Sequence, residues 1–520
     1  MKKSAKITAA ILSVGLVASV FSGCGKKNVD SKTSDGKYHI TIANSVAISD
    51  NSPVEKYLEK KYNVEIETKG FAANYYDKLA TMFSTKDIPD VMLINDISNW
   101  EPLVSQGILA PIDINTIKEA APNHYKHVEE KNSKLWETGK KNGTLYAIPK
   151  TMGDEYNTVC AWNSDWLKAL GIDKVPETLD EFEAAFDKIK NGDPDKNGKS
   201  DTYPISGVGG AYYRQFDWVF GAYGVMPEQW SLENGKVVNG TVSDKAKETL
   251  EKLHDWYEKG YINPEFLTDN QDTIMKRFMQ QGIGLVNTSL NNVTDFTPSG
   301  RANLASGPEG YAGRIAYGPL PSGPNGDRGD WQWGPLSNFV CFGAQLKDDV
   351  EKQKIILKIL DDLNYDEETA LMAAYGEKGK SYELYDESVG KSSGIKQLGN
   401  YGKDANANAE MGIGFFNLLK CGSYWADSSI WMQYQNEKFT EEQEKYANFG
   451  KYKDLLMRVN LPSTLTLAPT LQNLKTTAYS EFINGKRSLS DWDKFVDEYM
   501  SAGGKTLRDE AQNYYESVIK

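Results

Sequence analysis

From Tyr38 onward the chain switches repeatedly between two hydrophobic periods, and that switching restricts the fold more than any other feature. YHITIANSV alternates and is β-rich, Pro53 to Tyr62 is an amphipathic stretch opened by proline, and NVEIETKGF is strand-like again. Tyr75 to Thr85 reads as a helix, DIPDVMLIND as a strand ending on Asn95 and Asp96, and WEPLVSQGILAPID as a helix and turn. Such β-α-β alternation predicts a parallel sheet with ligand loops at its strand ends.

LYAIPK and YNTVCAWNSDWLKALGI then read as two strands running into a helix, with a lobe boundary near residues 150–155. In KVPETLDEFEAAFDKIKNG, Thr178 is an N-cap with Glu181 three residues on, the signature of a capping box before an apolar-periodic helix. Ala211 to Gly224 is aromatic and Gly-rich, Val242 to Gly260 is a charged amphipathic helix, and FMQQGIGLVN reads as helix end, turn and strand. Pro319 to Gly334 is a loop by composition, SNFVCFGA beyond it is a strand, and helices are expected from Glu437 to Val459 and as a closing pair from Thr466 to Lys520.

The 520 residues allow two to four domains at ~150 residues each. A net charge of −13 repels phosphate backbones, which argues against nucleic acid as a partner. The Trp 12 and Tyr 29 counts are high, and both side chains pair an apolar face with a polar tip suited to binding surfaces.

The first residues, MKKSAKITAAILSVGLVASVFSGC, join a basic start at Lys2, Lys3 and Lys6 to an apolar run from Ile7 to Phe21, the build of a secretory signal. Ser22-Gly23-Cys24 resembles the lipobox of bacterial lipoproteins, which implies cleavage before Cys24 and a lipid on its thiol. Residues 1–23 are thus read as a signal peptide and 24–37 as a flexible tether. Cys160, Cys341 and Cys421 remain, an odd count without CxxC spacing, and are expected to be buried free thiols.

NTVCAWNSDWLKALGIDKVPETLDEFEAAFDKIKNGDPDKNGKSDTYPISG resembles the segment of Gram-positive family 1 extracellular solute-binding lipoproteins in which a strand, a "DWL" helix, a "P-x-T-x-x-E-F" helix and a cation loop follow in order. RFMQQGIGLVN, YGPLPSGPNGDRG, YGEKGKSYEL and SDWDKFVDEYMSAGGKTLRDEAQNYYE resemble further segments in family order, so the resemblance spans nearly all of the chain after the tether. It implies a two-lobed periplasmic-binding-protein-like α/β fold that closes around a ligand and delivers it to the permease subunits of an ABC importer, without catalysis. The long subgroup, to which this chain's length corresponds, commonly takes oligosaccharides.

Within the cation loop, Asp193, Asp195, Asn197 and Asp201 place side-chain oxygens at positions 1, 3, 5 and 9, Lys199 offers a backbone carbonyl at 7, and Gly198 makes the turn at 6. That spacing suits a structural Ca2+. Position 12 is Pro204 and residue 202 is Thr, so further ligands must come from elsewhere or from water.

A sugar ring needs a flat aromatic surface with polar groups around its rim. The candidates are Trp218, Trp331, Trp333 and Trp425, with Tyr212, Arg214 and Tyr375 as further loop residues and Asn44 and Asp96 at strand ends. Trp166, Trp256 and Trp492 fit apolar helix faces and are expected in the core. His124 and His127 with Glu129 could bind a metal, but the expected reading is a solvated helix.

An exported glycoside hydrolase would share the acidic, Trp-rich composition, and a peptide or amino-acid receptor, an adhesin or a sensor could share the architecture. A peptide site would need charged groups for the termini, and no HExxH or Gly-rich phosphate loop is present. The resulting expectation is a monomeric, lipid-anchored oligosaccharide receptor on the outer face of the cytoplasmic membrane. Each lobe would hold a mainly parallel sheet flanked by helices, with a helical C-terminal extension. Residues 38–150 plus about 285–340 would form the N-terminal lobe and 151–284 plus about 341–520 the C-terminal lobe, with crossings near 150–155, 280–290 and 335–345.

Overall fold

The computed structural model describes residues 32–95, 99–151, 158–207, 216–289, 314–332, 335–419, 430, 433–434 and 452–520. The strands that position the site are, in chain order, β1 (Tyr38–Asn44), β2 (Val64–Gly70), β3 (Val91–Ile94), β4 (Ala147–Thr151), β5 (Thr158–Asn163), β6 (Leu285–Ser289), β7 (Ile315–Gly318), β8 (Trp331–Gln332), β9 (Leu336–Phe342) and β10 (Tyr452–Lys453).

The first sheet has the order β2-β1-β3-β9-β4. β1 pairs parallel with β2 and β3, as the alternation predicts, while β9 runs antiparallel to both β3 and β4. All four residues of β3 are buried, as expected of a strand covered on both faces. Its flanking helix α1 (Pro53–Tyr62) starts where Ser52 accepts from the Glu55 amide at 3.3 Å, with proline in the first turn, and stops at Asn63, whose φ of 53° ends the helical path.

β5 lies between β6 and β7 in a second sheet, and both pairings are antiparallel. The expectation of a mainly parallel sheet therefore holds for β2-β1-β3 and not here. After β5 the chain leaves the sheet at Ser164 and returns at Leu285 in the opposite direction, so β6 pairs antiparallel with β5. Between them, α2 (Leu179–Asn191) carries the expected capping box: the Glu181 amide donates to Thr178 Oγ1 at 3.2 Å and the Thr178 amide to Glu181 Oε2 at 3.1 Å. Leu179, Phe182, Phe186 and Ile189 form its buried face.

Two hydrophobic cores result. The first gathers Ile40, Ile42, Met92, Ile148 and Val340 from the first sheet with Ile356, Leu357 and Leu360 of α3 (Val350–Tyr365) and the segment Phe415–Leu419. The second gathers the aromatic side chains: Trp162 meets Phe182 at 4.8 Å, Phe186 meets Trp256 at 5.1 Å, and Phe220 stacks on Tyr479 at 5.5 Å. Much of the aromatic excess thus packs the interior. Trp166, Trp256 and Trp492 are core residues as expected, and Cys160 and Cys341 are buried free thiols; Cys421 lies outside the described residues.

The cores correct the expected boundaries. Leu285 and Leu320 pack in the second core, and β6 and β7 pair with β5, so 280–290 is no crossing; α3 belongs to the first core although 341–520 was assigned to the other lobe. The expected helix from Glu437 fails over its described part: Tyr452–Lys453 is a strand, and the Asp454 carboxylate takes the amides of Trp230, Leu456 and Arg458, forming a turn. The C-terminal residues form three α-helices, Thr464–Ile483, Trp492–Tyr499 and Lys505–Tyr514, rather than a pair. Lys32 to Lys37, expected as loose tether, closes a turn in which the Thr33 amide donates to the Lys37 carbonyl at 2.7 Å.

Candidate ligand-binding edge and cation loop

The carboxyl ends of β1, β3 and β4 and the beginning of β9 share one edge of the first sheet, because β9 is antiparallel to its neighbours: Phe339 lies opposite Ile94 and Leu336 opposite Thr151. The chain crosses toward the second sheet from this same edge, after Thr151 and before Leu336. Ligands of open α/β sheets bind beyond the carboxyl ends of the strands.

The edge carries a row of uncharged polar side chains. Asn95 Nδ2 donates to Ser45 Oγ at 2.6 Å, and Asn338 Nδ2 donates to Asn95 Oδ1 at 3.4 Å. Asn44 is buried and donates to the Phe415 carbonyl, which ties the end of β1 to the 411–419 segment. That bond commits the Asn44 amide to the protein, and the exposed group at the end of this row is Asn95, two strands' ends being joined through Ser45. Lys150, largely buried, directs Nζ to the Asn417 carbonyl at 3.3 Å.

Behind the edge sit two histidines. His127 Nε2 meets Thr151 Oγ1 and His124 Nε2 meets the Pro149 carbonyl, both at 3.0 Å. Both rings are buried, so the expected solvated helix is corrected. The apolar wall that buries them includes Trp136, edge-on to His124 at 6.2 Å. Burial pushes the His124 pKa down to about 3 and keeps the ring neutral. A carbonyl only accepts, so Nε2 carries the proton.

The aromatic candidates separate. Trp218 is 6% exposed in the second core, against Phe182 at 5.6 Å and Trp256 at 6.1 Å. It is a packing residue, a correction to its expected ligand contact: it sits on the helix Asp217–Ala222, which is buried throughout. Trp331 is half-buried on β8, opposite Tyr452 of β10, and borders a cavity of about 350 Å³ with Trp230, Asp454 and Arg458. Tyr375 ends the helix Glu367–Tyr375 and packs on Tyr382 at 5.8 Å in a small separate cluster. Asp96, Tyr212, Arg214, Trp333, Trp425 and Cys24 lie outside the described residues. Ser45, Asn95, Lys150 and Asn338 were not singled out as ligand groups from the sequence; the position of Asn95 at the end of an apolar run was the available signal.

The cation loop hangs between α2 and β6. Thr202 Oγ1 donates to the Ile189 carbonyl at 3.1 Å, and the Pro204 carbonyl accepts from the Leu285 amide at 2.9 Å. Inside it, the amides of Asn197 and Gly198 donate to the Asp193 carboxylate at 3.1 and 3.0 Å, and Asn197 Nδ2 reaches Asp195 at 2.7 Å and Asp201 at 3.0 Å. Gly198 has φ 76°, the left-handed conformation the sixth position requires. The carboxyl groups of Asp193, Asp195 and Asp201 thus gather around Asn197, a hard-oxygen donor set in chemistry. Among the described residues, no three acidic, His or Cys side chains stand in metal-holding geometry.

Comparison with known proteins agrees with this architecture. Residues 43–338 match the family described as bacterial extracellular solute-binding protein. Lipoprotein LipO of Bacillus subtilis is 24% identical over 97% of this chain and 98% of its own length. The fructooligosaccharide ABC transporter substrate-binding protein FusA of Streptococcus pneumoniae is 27% identical over 53% of this chain and 56% of its own. Its structure with kestose superposes with a TM-score of 0.67 at 19% identity, covering 92% of this chain and 99% of that one, and another FusA structure is of an EF-hand mutant. The polygalacturonan/rhamnogalacturonan-binding protein YtcQ of Bacillus subtilis is 24% identical over 53% of this chain and 55% of its own.

Proposed function

Because the chain belongs to the bacterial extracellular solute-binding protein family, we propose that it is a lipid-anchored receptor that captures an oligosaccharide and hands it to the permease of an ABC importer. The observation that carries this reading is the row Ser45–Asn95–Asn338 at the sheet edge from which the chain crosses to the second core. Such side chains both donate and accept, as sugar hydroxyls do.

In this reading one lobe is built on the first core and the other on the second, and the ligand lies between them. Contacts to both lobes stabilise the closed state by the ligand's differential affinity, and the permease recognises that state. The protein acts as a monomer held at the outer face of the membrane through a lipid on Cys24, and no covalent step is involved. Calcium bound by Asp193, Asp195, Asn197, Asp201 and the Lys199 carbonyl would brace α2 against β6. Trp331, Trp333, Trp425, Tyr212 and Arg214 remain candidate ligand contacts, with Asp96 beside the polar row.

A thermal-shift screen of the mature chain against oligosaccharide and peptide libraries tests this. A ligand at 100 times its dissociation constant adds ~2.7 kcal/mol to stability. Stabilisation by a glycan series is the expected outcome; stabilisation by peptides alone overturns the oligosaccharide reading.

A further inference from the structure

Three carboxamides near the crossing keep buried polar atoms without partners. Gln332, on β8, is 1% exposed, and neither Oε1 nor Nε2 has a hydrogen bond. Its backbone, by contrast, is engaged: it pairs with Lys453, and its carbonyl accepts from Gln229 Nε2 at 3.3 Å. Asn338 gives its amide hydrogens to Asn95 and leaves Oδ1 buried and unpartnered. Asn417, whose backbone carbonyl receives Lys150, likewise keeps a buried, unpartnered Oδ1.

Buried polar atoms without hydrogen bonds are costly and few in folded proteins, so each of these amides calls for a partner. Gln332 and Asn338 flank the 332–336 crossing, and Asn417 is tied to Lys150 on the strand beside β9. Their unmet needs are uneven. The three oxygens require donors, and one nitrogen requires an acceptor.

We propose that these amides select a neutral glycan over an acidic one. This rests on the oligosaccharide reading and narrows its ligand class. A hydroxyl donates to Asn338 Oδ1, Asn417 Oδ1 or Gln332 Oε1, and a neighbouring hydroxyl oxygen accepts from Gln332 Nε2. A uronate carboxylate has no proton to give at neutral pH and sets its lone pairs against the amide oxygens. Among the described residues, Lys150 directs its ammonium to the Asn417 carbonyl. Family membership leaves the choice open, since FusA is named for a neutral fructooligosaccharide and YtcQ for polygalacturonan and rhamnogalacturonan.

Titration calorimetry of the mature chain with two panels tests the proposal: neutral fructo-, gluco-, manno-, galacto- and xylo-oligosaccharides, and oligogalacturonates of matched length. Binding in the neutral panel with at least tenfold weaker binding of the uronates is expected. Uronate binding equal to or tighter than neutral binding overturns the proposal and leaves the oligosaccharide reading standing; binding in neither panel overturns both. Gln332→Met removes the amide at similar volume. The variant should melt no lower than the parent without ligand and lose at least tenfold in neutral-glycan affinity, while unchanged affinity removes Gln332 from the recognition set. The two-panel comparison needs no variant, so it stands even if the substitution impairs folding.

Discussion

Asn338 and Asn95 meet side chain to side chain at 3.4 Å although 243 positions separate them, and this contact joins the start of β9 to the end of β3. Asn95 is exposed and passes its own amide to Ser45 at 2.6 Å. Asn95→Ala should therefore weaken glycan binding about tenfold, the value of one lost polar contact of ~1–1.5 kcal/mol, with little change in the melting temperature of the ligand-free protein. Calorimetric titration alongside a melting curve checks both halves; a drop in melting temperature with unchanged affinity would make the residue purely structural.

Trp218 gives the opposite expectation. Its indole lies between Phe182 and Trp256 in the second core, so Trp218→Ala should cost ~3–5 kcal/mol of stability. The affinity of the molecules that remain folded should stay the same. Urea unfolding, paired with ligand titration at low temperature, separates a packing residue from a stacking platform.

What the sequence displayed and what it concealed follow from the range of the interactions. The Thr178–Glu181 capping box and the β1-α1-β2 unit are set by residues within a few turns of one another, so spacing alone exposes them. The insertion of β9 between β3 and β4 is a long-range pairing, and so the meeting of Asn338 with Asn95 leaves no trace in local pattern. α3 is amphipathic wherever it packs, which is why its periodicity did not assign it to the first core. At Trp218 the aromatic, Gly-rich composition suggested a binding surface, whereas nonlocal partners on α2 bury the helix that carries it. The cation loop was legible as a spacing, while its attachment to β6 through the Pro204 carbonyl was not.

His124 links stability to pH. Its folded pKa is lowered from 6.5 to about 3 by burial, so below pH 6.5 the unfolded chain takes up a proton that the folded protein refuses. The stabilisation is complete above pH 6.5 and is lost as pH falls toward 3, amounting to about 2 kcal/mol between pH 7 and pH 5 at 1.36 kcal/mol per unit. Asp361, which takes the His124 backbone amide at 2.8 Å, has its pKa raised by burial and acts in the opposite sense at lower pH. The comparison should therefore be made between parent and His124→Gln. The variant is less stable at pH 7, but its stability should fall less steeply from pH 7 to pH 5; parallel curves from chemical unfolding would show that His124 does not contribute this slope.

Calcium should act on the attachment of the cation loop to α2 and β6 rather than on the ligand edge. In the loop described, Asp193 receives two backbone amides while Asn197 bridges Asp195 and Asp201, so the carboxylates are gathered but turned on protein donors. A cation that draws those oxygens inward must displace the Asn197 amide, and the free energy of that exchange reaches the second core through the Thr202 hydroxyl on Ile189 and the Pro204 carbonyl on β6. Millimolar Ca2+ should raise the melting temperature by a few degrees and a chelator should reverse the rise. Asp195→Ala and Asp201→Ala should each abolish the response while leaving glycan affinity in chelator unchanged, because neither residue touches the sheet edge. Melting curves that ignore both calcium and chelator would reduce the loop to a self-satisfied turn, and a calcium response that survives both substitutions would place the ion elsewhere in the chain.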